Sequence, residues 1–157
     1  MEKYYGRKKY TLEESHKKFG VDLYNKTWEF IDKEKRSQAE IDIMIHAAHA
    51  SRYHWGEFGE PVNFARGEWQ ISRVYSILKM SESALFHAKR CLDICKENEI
   101  GDFDLAFAYE ALARAYSIIN EDEEFKKYYH LAEEAGDKIK LMQDKDYFFS
   151  ELKNISS

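Results

Sequence analysis

Apolar residues recur three and four positions apart along most of this chain, with charged residues filling the opposite side of each turn. Sustained period-two alternation is absent, so the pattern predicts helices and no strands. Thr11-Leu-Glu-Glu14 is a capping box that opens the first helix. Phe19, Leu23, Phe30 and Ile31 give it an apolar face, widened by Val21, Tyr24 and Trp28, and Lys33-Glu-Lys-Arg36 is its polar stop. A second capping box, Ser37-Gln-Ala-Glu40, starts a helix to about Trp55 with Ile41, Met44, Ile45, Ala48 and Trp55 on one stripe. Gly56-Glu-Phe-Gly59-Glu-Pro61 is the clearest break, and Pro61 suits a first helical turn, where its missing N–H is not needed. The following helix runs to about Lys79, and Ser81 caps the next, which ends near Asn98. Gly101 is a stop, and Asp102 or Asp104 is a new N-cap for a helix to Ile119. Asn120 with Glu123 caps its partner, in which Gly136 is a candidate interruption. Asp144 caps a short closing helix bearing Tyr147, Phe148, Phe149 and Leu152.

One block occurs twice. Ile71-Ser-Arg-Val-Tyr-Ser-Ile-Leu78 is echoed 41 residues later by Leu112-Ala-Arg-Ala-Tyr-Ser-Ile-Ile119, without a gap. Each copy is followed by a second amphipathic segment, Glu82 to Ile94 and then Glu123 to Ala135. A repeated helix-turn-helix unit predicts an all-α, right-handed α-solenoid. The expected organisation is a single domain over 1–157: a degenerate first pair over 11–57, a second pair over 61–98, a third over 102–142, and the closing helix over 144–153.

The repeat resembles a tetratricopeptide repeat over residues 64–135. That family asks for a large apolar residue, a small residue and a Tyr on the first helix. Ile71, Ser72 and Tyr75 fill those places in one copy, and Leu112, Ala113 and Tyr116 in the other. On the second helix the matching triads are Ala84, Ala88 and Cys91, then Phe125, Tyr129 and Ala132. The period here is longer than the family's, about 34, and the family's terminal Pro and first-helix Gly are missing. The resemblance implies a partner- or peptide-binding scaffold whose first helices line a concave face. Fold alone does not carry function further than that.

Composition narrows the partners. The net charge is −5 and no basic face is evident, which argues against nucleic acid. The one basic cluster, Lys3 to Tyr10, reads as a solvated terminus. No apolar run is long enough to span a bilayer, and no apolar leader segment opens the chain. Cys91 and Cys95 share a helix face and read as small buried hydrophobes. Together these features lead to the expectation of a cytoplasmic protein without membrane contact.

Two clusters could carry chemistry. The concave positions implied by the resemblance are Arg66, Trp69, Arg73 and Ser76 in one unit, and Phe107, Glu110, Arg114 and Ser117 in the next. Arg73 and Arg114 stand at equivalent places, and two guanidinium forks beside Trp69 and Glu110 could seat a carboxylate, a phosphate or a peptide terminus. The competing reading pairs each Arg with Glu68 or Glu110 and leaves it structural. The second cluster is Asp42, His46, His49 and Tyr53 on one stripe, with Arg52 and His54 beside it. Asp42, His46 and His49 could hold a divalent metal, given a further ligand from another helix. Alternatively these histidines bond to acids on the neighbouring helix, or His49 and Arg52 join the arginines in one polar pocket. The expected function is a non-enzymatic protein- or peptide-binding module, or one for a small anionic ligand, without a cofactor. A metal-dependent or acid–base enzyme built on the His cluster is the alternative, and stacking through apolar solenoid ends leaves a homo-oligomer open.

Overall fold

Seven helices account for most of the chain in the computed structural model, which describes residues 8–155. They are α1 (Leu12–Ile31), α2 (Gln38–Phe58), α3 (Pro61–Ile77), α4 (Ser81–Glu97), α5 (Asp102–Ile119), α6 (Asp122–Asp137) and α7 (Met142–Leu152). The described residues contain no strand. The all-α class follows. The basic stretch from Lys3 to Arg7 lies outside the described residues.

Local chemistry sets most of the boundaries. Both capping boxes form: Thr11 Oγ1 accepts from the Glu14 N–H at 3.1 Å, and Ser37 Oγ from the Glu40 N–H at 3.3 Å. Each Glu reaches back to its cap's N–H at 2.8 Å. Arg36 closes the other end of α1, donating to the carbonyls of Phe30, Ile31 and Lys33 that would otherwise be orphaned. Pro61 is the first residue of α3. Four expected caps are displaced by one to three residues. The extended or irregular backbone falls at Met80, Gly101, Glu121 and Leu141 instead of Ser81, Asp102 or Asp104, Asn120 and Asp144. Asn120 adopts the left-handed conformation (φ 61°) and ends α5 rather than starting α6. Gly136 does not interrupt α6; it is the place where α7 comes closest.

Short links fold the helices into three tightly packed pairs, α1–α2, α3–α4 and α5–α6. The pairs join through α2–α3, α4–α5 and α3–α5, and α7 rests on α5 and α6. A seam of buried alanines, including Ala84, Ala88, Ala106, Ala108, Ala111, Ala113 and Ala132, lets the backbones approach closely. Ser72 Oγ crosses that seam to the Ala84 carbonyl at 2.8 Å. Cys91 and Cys95 are buried and free, as expected of core residues. The exception is α1, where Phe19 is half exposed and Val21 is also exposed. Part of its broad apolar band therefore faces outward.

The sequence echo recurs in three dimensions. Tyr75 stacks on His87 (5.9 Å, 19°), and Tyr116 stacks on Tyr128 (5.5 Å, 6°). Both partners move by the same offset between units. Lys79 and Asn120, also equivalent, share a left-handed backbone with φ of 59° and 61°. The second and third pairs are thus one design used twice, with the same turn after the first helix.

Candidate functional site

The echoed helices bring the two equivalent arginines together around one buried acid. Glu110, one turn before Arg114 on α5, is 1% exposed. Its Oε1 accepts from Arg114 Nε at 2.8 Å and from Arg114 Nη2. Its Oε2 accepts from Trp69 Nε1 at 3.1 Å, so Trp69 bonds to its own repeat equivalent. Arg73 Nη1 stands 3.9 Å from Glu110 Oε1. From α7, Glu151 Oε2 accepts from Arg73 Nη2 at 3.3 Å, and the Glu151 carbonyl takes a long bond from Arg114 at 3.5 Å. Two guanidinium groups therefore share two carboxylates. Burial, then the like charge of Arg114, pulls Arg73 below its ordinary value, against the attraction of Glu110 and Glu151.

Hydrogen bonding around Arg73 is incomplete. Its Nε and Nη1 are buried without a hydrogen-bond acceptor among the described residues, and so is Ser76 Oγ one turn on. Buried donors in that state are uncommon in folded proteins and are costly to leave unmet. They border a polar cleft of about 490 Å³ lined by Arg73, Ser76, Lys79, Arg114, Ser117 and Asn154, among others. Among the described residues no carboxylate is part of its lining.

The other expected groove residues go elsewhere. Arg66 makes a two-armed pair with Asp104 (2.7 and 3.1 Å), tying α3 to α5 on the same side as Trp69 but away from the cleft. His49 and Arg52 do not join the arginines. Arg52 Nε donates to Glu68 Oε1 at 3.2 Å while its guanidinium covers the Phe64 ring at 4.7 Å. Glu68 Oε2 lies 2.6 Å from His87 Nδ1, and His49 Nε2 lies 2.8 Å from the Tyr75 hydroxyl. The single polar pocket of the sequence reading is thus two separate networks. The plainer expectation of cluster histidines bonded to acids is not met either: His49 turns to a tyrosine, His54 meets His16, and the histidine on the Glu68 carboxylate is His87 of α4. Asp42 is held by Gln38 at 2.9 Å and His49 turns to Tyr75. Among the described residues no three His, Cys, Asp or Glu side chains gather as a metal-holding group, and Asp42, His46 and His49 are no exception.

The chain matches no protein-family model, no curated protein and no solved structure. Its reading rests on its own geometry. No helix among the described residues is long and apolar enough to cross a membrane.

Residues outside the repeat complete the site. Glu151 comes from α7 and Asn154 from the turn after it, and Tyr24 and Trp28 of α1 stand against Trp69 at a neighbouring aromatic pocket. The spacing of Tyr24 and Trp28, one turn apart beside the apolar face, was the available signal. For Glu151 the signal was weaker: one acid beside the closing aromatics.

The histidines supply a pH dependence. Burial, then the charge of His87, lowers His49. Burial, then the charge of His16, lowers His54, whose Nδ1 lies 2.9 Å from His16 Nδ1. An unfolded chain, with imidazoles near the ordinary value of about 6.5, then binds more protons than the folded one in mildly acid solution. Stability should fall as pH drops through about 6.5 and stop falling from this cause once both folded-state imidazoles are charged. Melting temperatures measured from pH 7.5 to 5 should show this decline, and the His49→Gln/His54→Gln double variant should flatten it. An equally steep decline in the variant would assign the effect to other groups.

Proposed function

We propose that this chain is a non-enzymatic protein- or peptide-binding module, a right-handed tetratricopeptide-like superhelix whose α3, α5 and α7 form a polar groove. The observation that carries the reading is the cleft beside Arg73 and Ser76, with buried donors lacking acceptors and no acid on its lining among the described residues. An acidic side chain or a peptide carboxylate in the cleft would meet the solvent-reaching part of the Arg73 guanidinium, and Arg114 would face it from α5. The Glu68–His87 pair is what an acid–base enzyme would use, but neither residue lines the cleft, so the binding reading is preferred.

The charge balance limits what an acidic group gains there. Glu110 and Glu151 already offset two of the three cations Arg73, Arg114 and Lys79. The cleft also takes the C-terminal ends of α3, α5 and α7, each carrying roughly half a negative charge on its free carbonyls. The anionic contact therefore sets register and selectivity more than affinity.

Arg73→Gln is the test. It leaves Glu110 with Trp69 and Arg114 but takes from the partly exposed Glu151 its ion-pair partner, so melting should fall by about 2–4 °C, the scale of roughly 1 kcal/mol. Peptides selected from a random library against the wild-type protein should carry an Asp, Glu or free carboxyl-terminus in common. Their affinity for Arg73→Gln should fall by about two- to fivefold, and peptides selected against Arg73→Gln should lose the shared acidic group. Selected peptides that bind both proteins equally, or a library yielding no binders, would overturn the proposal.

A further inference from the structure

A second cavity lies on the same side of the helices, toward the N-terminal ends of α3 and α5. Its walls are the rings of Tyr24, Trp28, Trp69, Phe103, Phe107 and Tyr147, from four different helices. Trp28 and Trp69 stack at 5.8 Å and 29°, and Phe107 meets Trp69 edge-on at 5.5 Å and 84°. Ala65 and Cys91 complete the lining. The two-armed Arg66–Asp104 pair stands at its edge and spans α3 to α5, so it fixes the separation of the walls. The space is about 100 Å³.

Six rings around unfilled space is an unusual arrangement for a packed domain. Side chains facing a void lose dispersion partners, and cores normally close such gaps. These walls come from α1, α3, α5 and α7, and the ion pair braces two of them, so they do not collapse onto one another. A closed apolar cavity of about 150 Å³ holds a benzene ring. This smaller space suits a branched aliphatic group, whose methyls can lie against the ring faces.

We propose that this cavity is a second subsite of the groove, taking a Leu, Ile or Val side chain of the bound peptide. The inference rests on the binding reading above and deepens it. It supplies the apolar burial that the near-neutral cleft lacks. The two subsites lie on one side of α3, with Trp69 serving both: its ring walls the cavity and its Nε1 bonds to the Glu110 that holds the arginines. From Arg66 and Trp69 to Ser76 and Ile77 is about nine residues of helix, or roughly 13 Å. An extended peptide covers that in roughly four residues. The ligand should therefore carry an aliphatic side chain about four positions from its acidic group. The Arg66–Asp104 pair offers a donor and an acceptor to the peptide backbone passing over the rim.

The probe is N-acetyl-leucine amide, titrated while the indole N–H resonances of Trp28 and Trp69 are followed. A saturable shift with a Kd of about 1–10 mM is expected, the range open to a few buried carbons. N-acetyl-alanine amide should give none. Ala65→Leu, which fills the space, should abolish the shift while the fold persists; Cys91→Leu serves the same purpose from α4 if Ala65→Leu does not fold. An absent shift in the wild-type protein, or one that survives both filled variants, would overturn the subsite. The outcome is separable from that of the binding reading. Arg73→Gln should leave the leucine-amide shift intact, whereas a failure of acidic peptides with leucine amide still binding would sink only the anionic contact.

Discussion

Replacing Glu110 by alanine should be among the most damaging single changes in this chain, at about 3 kcal/mol. The carboxylate is 1% exposed and takes hydrogen bonds from Arg114 and Trp69, with Arg73 close by. Its removal leaves two mostly covered guanidinium groups with only Glu151 between them, and the Trp69 N–H without an acceptor. Breaking a buried pair by deleting one partner costs several kcal/mol because the remaining charge is stranded. Both arginines keep some solvent contact, 18% and 15% of the side chain, which places the estimate at the low end. At roughly 2–4 °C per kcal/mol for a chain of this size, melting should fall by about 6–12 °C. Adding Arg114→Met to Glu110→Ala should recover part of the loss, since the stranded charge leaves with it. A drop below about 1 kcal/mol would mean that Glu151 or water replaces Glu110 without penalty, and that the shared acid does not organise the site.

Phe148→Ala should have a comparable effect through a different route. Phe148 is fully buried, edge-on to Phe107 at 5.0 Å and 89°, and lies against Gly136 of α6. A Cβ at Gly136 would come within 2.4 Å of the Phe148 ring, so the glycine is there to let the two helices meet. Deleting a buried Phe side chain costs about 3–5 kcal/mol. Here the loss should appear first as release of α7, because its backbone packs against α5 and α6 over limited surface and reaches α3 mainly through Glu151. Limited proteolysis should cut the variant near residues 138–142 while the preceding helices stay protected, and Gly136→Leu should reproduce the pattern. Uniform melting with no early cleavage would show instead that α7 unfolds together with the rest. Released α7 also removes Glu151, so the same variant should weaken the ordering of Arg73.

What the sequence revealed, and what it did not, divides along the distance between interacting residues. The capping boxes at Thr11 and Ser37 are interactions over three residues and were readable from residue type alone. The Arg-x-Tyr-Ser-Ile echo placed Arg73 and Arg114 at equivalent positions, and both lie near Glu110, though Arg114 holds it directly and Arg73 bonds to Glu151. Caps at Met80, Gly101, Glu121 and Leu141 were missed because none of them makes a side-chain cap bond, so the polar residue nearby looked like the better choice. The clustering of His49 and Arg52 with the arginines failed for another reason. Helical spacing says which residues share a face, but not which neighbour that face meets. Glu68 sits on the opposite side of α3 from the groove and draws both residues to it through Arg52 and His87. The aromatic cavity was out of reach, since it needs four helices placed side by side before Tyr24, Trp28, Phe103 and Tyr147 become neighbours.

The groove of α3, α5 and α7 is the face proposed to meet a partner. The most direct measurement is a nuclear magnetic resonance map of the protein with a selected acidic peptide, following Arg Nε–H, Trp indole N–H and His ring signals together. Arg73, Arg114 and Trp69 should shift in step at one affinity, with His49 and His87 unmoved. Shifts confined to His49, His87 and Arg52, with the arginines of the groove silent, would place the binding face on the other network and contradict the account.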